Sequence, residues 1–336
     1  MSTPSIRRRP PAVRPVNFLH KSSPNYDQVQ NQLFDLVRAQ LPAGAARDTT
    51  DVRDDEAVNL GFHIRWGRGK NSWPLPLDVI MSHGLADKSY LLAQDVRTGH
   101  RLVNSYEHVL VPGQWFADRL LRRRFHPDPR KRVTVPADRI HVVGWPRLDP
   151  LYAEPRPERP VTDRPLRVLW APSHDLSRPG ADKRPFSSYP AFEEHLPRLQ
   201  AEFDVRVSLH PSNRTDKSPT TGALTWADVV ISDHGTMLYE AWALGKCVVM
   251  PTWLMPERMT QDPKFKRNAE GHIYRRRIGS HASSINELVE MVRANEPPGR
   301  DVAEFMAAIL EPSTRGRSAA VIAGLLPTLP LRRLGD

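Results

Sequence analysis

The sequence predicts an α/β protein made of two doubly wound halves, and three observations indicate this class. Short apolar runs rich in β-branched residues alternate with segments of helical spacing, which is typical of parallel strands joined by crossover helices. A proline-rich stretch interrupts the alternation once, at residues 152–165, and the alternation then restarts. Strand after strand also ends at a histidine or at a glycine or proline turn, at the sheet edge where α/β proteins bind ligands.

Four segments follow from this pattern. Residues 1–15 form a basic, proline-rich arm with four arginines and no acidic residue, and we predict that this arm is flexible. Residues 16–151 form the first Rossmann-like half, and residues 152–165 form the linker. Residues 166–336 form the second Rossmann-like half, which includes the terminal helices. The chain is long enough for two cores, and we predict that the two halves face each other across a cleft.

In the first half, apolar runs of strand length are found at residues 16–20, 58–64, 77–81, 109–112 and 140–143. A helix is predicted over residues 26–40, because apolar residues recur there at helical spacing after a Ser-Pro-Asn start. A second helix, residues 114–124, carries arginines on its outer face. Residues 45–57 between these elements are polar, and they are predicted to form a loop.

The second half repeats the alternation. Its predicted strands are residues 166–170, 205–209, 229–232 and 247–250. Its predicted helices are residues 189–203, 237–244, 285–294, 302–310 and 318–326. Ser283 or Ser284 is the expected N-terminal cap of the helix that begins at residue 285. Cys247 lies within a predicted strand, and we interpret it as a small core residue.

The stretch Ala227–Pro251 indicates a function most directly, because it is predicted as strand, tight polar turn, helix and strand. A turn that leaves a parallel strand and opens a helix presents free N–H groups at the positive end of the helix dipole, which is an anion site. Gly235 has no Cβ to keep a phosphate from the backbone. Glu240 lies one helical turn after Thr236, where a carboxylate can accept hydrogen bonds from a ribose diol. This arrangement predicts a nucleotide-diphosphate site; the alternative is a turn that binds nothing.

Five predicted strands end in polar residues that can form hydrogen bonds. These ends are His83-Gly84, Gly144-Trp145-Pro146-Arg147, Ser173-His174, His210-Pro211 and His234-Gly235. Because the carboxyl ends of parallel strands lie at one edge of a sheet, we expect these ends to line one crevice shared by both halves. The predicted donor-binding residues are His210, Ser232, His234, Gly235, Thr236, Glu240, Ser173 and His174.

Two histidines are the candidates for catalysis and for phosphate contact. His83 follows an apolar strand, and a neutral imidazole there can take a proton from an acceptor hydroxyl as a general base. His210 precedes a proline that holds it extended, and it can donate to a pyrophosphate oxygen. Arg147 and Lys88 are predicted contacts for the acceptor or its phosphate. The alternatives are a histidine that caps a strand end, and solvated surface charges.

The net charge of +10 favours an anionic partner: a phosphate-rich substrate, an acidic membrane surface or nucleic acid. The single cysteine indicates a reducing compartment. No apolar run approaches the length of a transmembrane helix, and the first residues do not form a secretory signal. We therefore predict a cytoplasmic protein, and peripheral contact with the inner membrane face through the basic surface is an open alternative.

Several familiar site motifs are missing from the sequence. It contains no Walker A motif, no GxGxxG after a strand, no Asp-x-Asp, no zinc-ligand spacing and no GxSxG elbow. We predict an enzyme without a bound cofactor or metal, in which the helix dipole, histidine and arginine act on a nucleotide-activated donor that is a substrate.

The motifs SHG, VVGWPRLD, VLWAPSHD, SLHPS and ADVVISDHGTMLYEAWALGKCVVMP, in this order, resemble those of the CDP-glycerol glycerophosphotransferase family. The likeness runs from about Leu77 to Pro251, with a final helix near Ser313–Leu326. Members of this family are two-domain GT-B transferases of teichoic-acid and capsule synthesis. The resemblance implies a GT-B fold and a transferase activity.

The resemblance also implies roles for individual residues. His83 matches the family's His-Gly base, and His210 matches its His-Pro phosphate ligand. The turn Ser232–Thr236 matches the Asp-Tyr-Ser-Ser turn that holds the donor phosphates, with His-Gly-Thr in place of the family's serine pair. The family's lysine before His-Pro is replaced here by Ser208-Leu209. Glu240 is similar to the ribose-binding glutamate of general GT-B enzymes and UDP-sugar epimerases.

The predicted function is a metal-independent transfer of a glycosyl or phosphoglycerol group from a nucleotide-diphosphate donor to a hydroxyl of an anionic polymer or lipid. One alternative is a phage-type enzyme that glycosylates a hydroxylated base in DNA, because the basic arm and the positive charge also suit nucleic acid. An enzyme similar to a UDP-sugar 2-epimerase and a binding module without activity are also compatible with the sequence.

Overall fold

The computed structural model describes residues 14–20, 27–50, 54, 56–62, 77–87, 90–95, 98–153, 164–173, 187–215, 220–255, 265 and 267–331. Two sheets of parallel strands with helices packed on them confirm the predicted α/β class. The basic arm and most of the proline-rich linker lie outside the described residues, so the predictions for them are untested.

The first sheet has six strands in the order β2-β1-β3-β4-β5-β6. They are β1 Val16–His20, β2 Ala46–Thr50, β3 Val58–Gly61, β4 Leu77–Met81, β5 Tyr106–Val111 and β6 Ile140–Val142. The second sheet has five strands in the order β11-β10-β9-β7-β8. They are β7 Arg167–Trp170, β8 Asp204–Val207, β9 Val229–Ile231, β10 Cys247–Pro251 and β11 Ser280–Ala282.

Ten α-helices lie within the part of the chain that the structure describes. Those before the linker are α1 Asp27–Arg38, α2 Gln114–Arg122 and α3 Asp149–Ala153. Those after it are α4 Leu196–Gln200, α5 Thr221–Trp226, α6 Thr236–Ala243, α7 Ala269–Arg276, α8 Ile285–Ala294, α9 Arg300–Ile309 and α10 Ser318–Leu325.

The two sheets are wound in the same way. In each, the second strand in sequence lies on one side of the first, and all later strands lie on the other side. The first and third strands of a sheet are therefore neighbours whose connections diverge, and the gap above their carboxyl ends is where doubly wound proteins bind ligands. In the second sheet this switch point lies between β7 and β9, with Val168 opposite Val229.

The interior of the second sheet follows from alternation along its strands. Val230 and Val248 belong to a core that also contains the buried residues of the first sheet, so apolar packing is continuous between the halves. Val229, Ile231 and Val249 face the other way and pack in a second core beneath α8. Strands that are apolar on both faces are buried on both faces, as their sequence predicts.

Most predicted elements are confirmed, some with unchanged bounds. β4 and α8 have the predicted limits, and the Ser284 hydroxyl accepts a hydrogen bond from Glu287 N at 3.2 Å, which makes Ser284 the cap. The loop predicted over residues 45–57 is wrong in part, because Ala46–Thr50 forms β2 beside β1. This strand lies at the sheet edge, and it carries a polar sequence that an apolar pattern cannot reveal.

The last helices return to the first half of the chain. The backbone N–H of Glu311 donates to the carbonyl oxygen of Pro112 at 3.0 Å. The N–H groups of Ser318 and Ala319, at the start of α10, donate to the Asp149 carboxylate at 3.0 and 2.7 Å. These contacts join residues 300–331 to the half of the chain that contains the first sheet. The boundaries predicted for the four segments stay predictions.

Two smaller predictions concern single features. Cys247 is a buried cysteine in β10 and packs in the second core, as predicted. Among the described residues, no helix has the length and apolar character needed to cross a membrane.

Candidate functional site

The turn between β9 and α6 lies at the switch point of the second sheet. Gly235 is the N-terminal cap residue of α6, with a φ of 114° that favours glycine, and no side chain among the described residues caps the helix. Ser232 is fully buried, and its hydroxyl donates to the carbonyl oxygen of Ala171 after β7 at 2.9 Å. The turn is thereby joined to the neighbouring strand, with the first amides of an eight-residue helix at its end.

Asp233 holds this turn in place, although its sequence context indicated no separate role at the site. Its buried carboxylate accepts hydrogen bonds from the N–H groups of Ser173 at 2.8 Å and His234 at 2.6 Å. The same carboxylate accepts from the hydroxyls of Ser187 and Ser188 at 3.0 and 2.9 Å, and from Ser188 N at 2.6 Å. Five donors from three segments fix one side chain, so the geometry of the turn depends on Asp233.

The turn after β4 contacts the start of α6 from the other half of the chain. The N–H of Leu85 donates to the Thr236 hydroxyl at 3.1 Å, and Gly84 lies against the same threonine. His83 is the neighbour of Gly84 and is partly buried. The turn that carries the predicted base therefore contacts the predicted phosphate-binding turn, and the shared site stays a prediction.

Glu240 lies one helical turn further along α6, and its carboxylate meets the strand end after β6. Trp145 donates from its indole N–H to Glu240 Oε1 at 2.8 Å, and Arg147 Nε lies 3.6 Å from the same oxygen. All three side chains are at least nine-tenths buried. Glu240 Oε2 makes no hydrogen bond with the described residues. Glu240 and Arg147 thus form a buried pair. The ribose contact predicted for Glu240 and the phosphate contact predicted for Arg147 stay predictions.

A second buried network joins the halves beside the first. The N–H of Asp87, four residues after His83, donates to Glu270 Oε1 at 2.7 Å, and Tyr239 of α6 donates to the same oxygen at 2.9 Å. Arg119 of α2 forms an ion pair with Asp87. These residues were missed because their partners are far apart in sequence, and no local pattern indicates such pairs.

Burial sets the protonation states in this network. It lowers the pKa of Arg119 to about 10, so the guanidinium remains charged at neutral pH beside Asp87. Burial and then the Glu270 carboxylate raise the pKa of Tyr239 well above its usual value. Tyr239 therefore keeps its proton and donates it in the hydrogen bond to Glu270. The Arg119 charge and the Tyr239 donor therefore do not change near neutral pH.

The remaining predicted residues fall into two groups. Ser173 follows β7, and its backbone N–H donates to the Asp233 carboxylate. His210 follows β8 at the same edge of the sheet and is partly buried. His234 is buried and its ring lies 6.4 Å from that of Phe265. His174 and Lys88 lie outside the described residues. Within the described ranges, no group of three or more His, Cys, Asp or Glu residues is arranged to hold a metal ion.

The contact between a helix start and a turn that carries a histidine suits an anion site beside a base. The amides at the start of α6 and the helix dipole attract negative charge, and Gly235 leaves the backbone open to a phosphate. The turn that carries His83 approaches from the opposite half. The chemistry available here is proton removal by imidazole beside a site for developing negative charge.

No protein-family model matches this sequence, and no curated protein matches it. Solved structures do match the fold. A structure of a histidine variant of the wall teichoic acid polymerase TagF has a TM-score of 0.59 with 12% identity, over 93% of this chain and 88% of that chain. The TagF structure without that substitution has a TM-score of 0.57 with 11% identity, over the same 93% and 88%. The variant after a soak with CDPG has a TM-score of 0.56 with 11% identity, over 93% and 87%. At these identities the likeness concerns the fold.

Proposed function

We propose that this chain is a GT-B transferase related to the CDP-glycerol glycerophosphotransferases. It moves a glycosyl or phosphoglycerol group from a nucleotide-diphosphate donor to a hydroxyl of an anionic polymer or lipid, without a metal. The observation that carries the proposal is the contact between Leu85 and Thr236. This hydrogen bond seats the turn with the candidate base His83 on the helix start that suits the donor phosphates.

The donor side of the reaction rests on the turn Ser232–Thr236. The diphosphate lies against the amides that follow Gly235, where the helix dipole lowers the energy of negative charge. When the bond to the transferred group breaks, an electron pair stays on the leaving phosphate oxygen. The Asp233 hydrogen bonds hold the turn that precedes these amides, so the amides stabilise this charge without reorganising, and His210 donates to the same phosphate.

The acceptor side rests on His83. Its neutral imidazole takes the proton of the acceptor hydroxyl while the hydroxyl oxygen forms a bond to the transferred carbon or phosphorus atom. For a glycosyl group a nucleoside diphosphate leaves, and for a phosphoglycerol group a nucleoside monophosphate leaves. Arg147 and Lys88 bind phosphates of the acceptor.

The resemblance of the motifs makes a cytidine-activated donor our first choice. One of the TagF structures with this fold was soaked with CDPG. The motifs around His83, His210 and the α6 turn resemble those of enzymes that use CDP-glycerol. We therefore assign CDP-glycerol as the first donor to test, with UDP-sugars as the next.

The test is a thermal-shift and calorimetric titration of the full chain with CDP, UDP, GDP, CDP-glycerol and UDP-glucose. A ligand at about 100 times its Kd adds about 2.7 kcal/mol of stability, a large shift in Tm. Gly235→Ala is expected to weaken binding about tenfold or more, since it strains a φ of 114° and adds a Cβ at the phosphate. Gly222→Ala is the matched control, because a Cβ there meets open space. A chain that binds none of these ligands, or binds them equally well with Gly235→Ala, contradicts the proposal.

A further inference from the structure

Helix α7 contacts both turns of the candidate site with one of its faces. Glu270 and Tyr274 are four residues apart, so their side chains project from the same face, about 6 Å apart along the helix axis. Both residues are buried in the fold. α7 follows Pro251, where the run of family motifs ends, so no motif assigns a role to either residue.

The Tyr274 end of this face holds the turn between β9 and α6. The Tyr274 hydroxyl donates to the backbone carbonyl oxygen of Asp233 at 2.7 Å, two residues before Gly235. Burial and then the Asp233 charge raise the pKa of Tyr274 well above its usual value, so the hydroxyl keeps its proton near neutral pH. The turn is therefore held through its backbone as well as through the Asp233 side chain.

The direction of this carbonyl group matters for an anion at the turn. A peptide oxygen carries partial negative charge and repels a phosphate that it faces, whereas the amides at a helix start attract it. The hydrogen bond directs the Asp233 oxygen at α7, and the peptide group cannot rotate that oxygen towards the helix start without breaking the bond. Tyr274 therefore acts on the donor site through the backbone of the turn.

The Glu270 end of the same face holds the turn that carries His83. Glu270 Oε1 accepts hydrogen bonds from the N–H of Asp87 at 2.7 Å and from the Tyr239 hydroxyl of α6 at 2.9 Å. The Asp87 carboxylate in turn accepts from the N–H of Ala269, the first residue of α7, at 3.0 Å. The turn and the helix thus bind each other in both directions, four residues after His83.

We propose that α7 positions both reacting groups of the transfer, with Tyr274 acting on the turn that binds the donor phosphates and Glu270 acting on the turn that carries His83. This role rests on the proposed function, in which the first turn is the donor site and His83 is the base. Each residue acts through a neighbouring turn, so both are positioning residues. A displacement of a reacting group by about 1 Å costs up to about a hundredfold in rate.

The first test measures the Kd of CDP and of inorganic pyrophosphate by calorimetry with the full chain. Tyr274→Phe removes the hydroxyl and keeps the ring, and it is expected to raise both Kd values about tenfold. With saturating donor, kcat is expected to stay within about threefold of the unchanged protein. Tyr106→Phe is the matched control, because Tyr106 is buried at the start of β5, at the opposite edge of the first sheet.

The second test concerns the turn that carries His83. Glu270→Leu removes the acceptor of the Asp87 N–H, and it is expected to lower kcat about thirtyfold while the Kd of CDP stays within about threefold. Glu270→Gln keeps an acceptor oxygen and is expected to retain kcat within about threefold. The NMR signal of the His83 ring, assigned with His83→Gln, is expected to move in Glu270→Leu and to stay in place in Glu270→Gln.

Two results overturn the positioning role of α7. One is a Tyr274→Phe variant that binds CDP and pyrophosphate as tightly as the unchanged protein. The other is a Glu270→Leu variant with an unchanged kcat and an unchanged His83 signal. Equal losses of kcat and of binding in both variants also overturn it, because they indicate a general loss of structure.

The proposed function fails separately. A protein that binds CDP and transfers nothing contradicts the transferase activity, and the pyrophosphate titration and the His83 signal still test α7, since neither needs turnover. A protein that binds neither CDP nor pyrophosphate overturns both proposals. Thermal melts identify a variant that does not fold, and if Glu270→Leu is one, the pyrophosphate Kd of Tyr274→Phe decides.

Discussion

A Cβ placed on Gly84 would stand 2.6 Å from the hydroxyl oxygen of Thr236, closer than two such atoms can approach. The same hydroxyl accepts the hydrogen bond of Leu85 N. Thr236 is β-branched and its rotamer is fixed by that bond, so it cannot turn away freely. The turn that carries His83 is therefore seated directly on the first residue of α6, and only glycine permits this approach.

Gly84→Ala is expected to destabilise the fold by about 1–3 kcal/mol, since the added methyl group overpacks a closed contact. Thr236→Ala removes one hydrogen bond and is expected to cost about 1 kcal/mol. Because the Thr236 hydroxyl is the clashing atom, the double variant is expected to cost clearly less than the sum of the two single variants. Urea unfolding monitored by circular dichroism gives the free energy of unfolding of the three variants. If the cost of the double variant equals the sum of the two single costs, the contact between Gly84 and Thr236 is not present.

Asp233→Asn is expected to destabilise the fold by about 3–5 kcal/mol. An asparagine has one acceptor oxygen and turns an NH2 group towards donors, whereas the carboxylate now serves five donors from three segments. Ser187→Ala removes only one of these donors and is expected to cost about 1 kcal/mol. Urea unfolding at neutral pH gives both values. Equal costs for the two variants would mean that Asp233 is not the centre of the network.

Trp145→Phe removes the indole N–H from a fully buried carboxylate, and we expect a loss of about 1–3 kcal/mol. Glu240→Leu is expected to cost more, about 3–5 kcal/mol, because it also leaves the buried Arg147 without its carboxylate partner, and the double variant is expected to cost less than the sum of the two single variants. Guanidinium unfolding curves for the two single variants and the double variant measure this coupling. A zero coupling energy would show that the two side chains act independently.

His83→Gln is expected to lower kcat by about 10²–10⁴-fold while the Kd of the donor stays the same, because a general base acts on the acceptor. His210→Gln is expected to raise the Kd of the donor instead, since His210 is assigned to its phosphate. His100→Gln is the control at an exposed histidine. Turnover assays and calorimetric titration separate kcat from binding. A full loss of donor binding in His83→Gln would contradict the assignment of His83 to the acceptor and His210 to the donor.

His281 gives the stability a dependence on pH with a defined sign. Burial lowers its pKa from 6.5 to about 4 in the fold, where Nε2 donates to the carbonyl oxygen of Ile278 and Nδ1 lies 3.1 Å from the Thr252 hydroxyl. The unfolded chain therefore takes up the proton first as the pH falls, and stability decreases between about pH 6.5 and about pH 4. Between about pH 7 and about pH 5 the expected loss is about 2 kcal/mol.

His281→Gln is expected to remove this part of the pH dependence, and His100→Gln is expected to leave it unchanged. Urea unfolding of each variant at neutral and at mildly acidic pH provides the comparison. If the free energy of unfolding of His281→Gln falls with pH as much as that of the unchanged protein, other groups cause the loss of stability.

The sequence predicted elements that carry an apolar pattern and missed those that do not. β4, β9, β10 and α6 are apolar over most of their length, and their positions were close to the predicted ones. β2 has the sequence Ala-Arg-Asp-Thr-Thr and pairs with one neighbour only, so nothing in its pattern indicates a strand. The helix predicted over residues 189–203 is a 3-10 helix, Ala191–His195, followed by α4.

The sequence allowed the strand ends of the candidate site to be predicted, but not the residues that form hydrogen bonds to its buried carboxylates. The turn at Gly235 could be found because a buried strand, a polar turn and an apolar helix follow one another in the sequence. Distant partners of Asp233 come from residues 173, 187 and 188, and the partners of Glu240 are Trp145 and Arg147. Such pairs depend on how the two halves are placed, and this placement leaves no periodic signal in one sequence.

The return of residues 300–331 to the first sheet has a consequence for the order in which the chain folds as it is synthesised. The first half leaves the ribosome long before the segment that contacts Pro112 and Asp149 has been made. Until then the surface beneath α9 and α10 stays open to water, and His108 lacks the carbonyl oxygen of Pro330 that it meets at 2.9 Å. The first sheet is therefore covered on this side only after residues 300–331 have been synthesised.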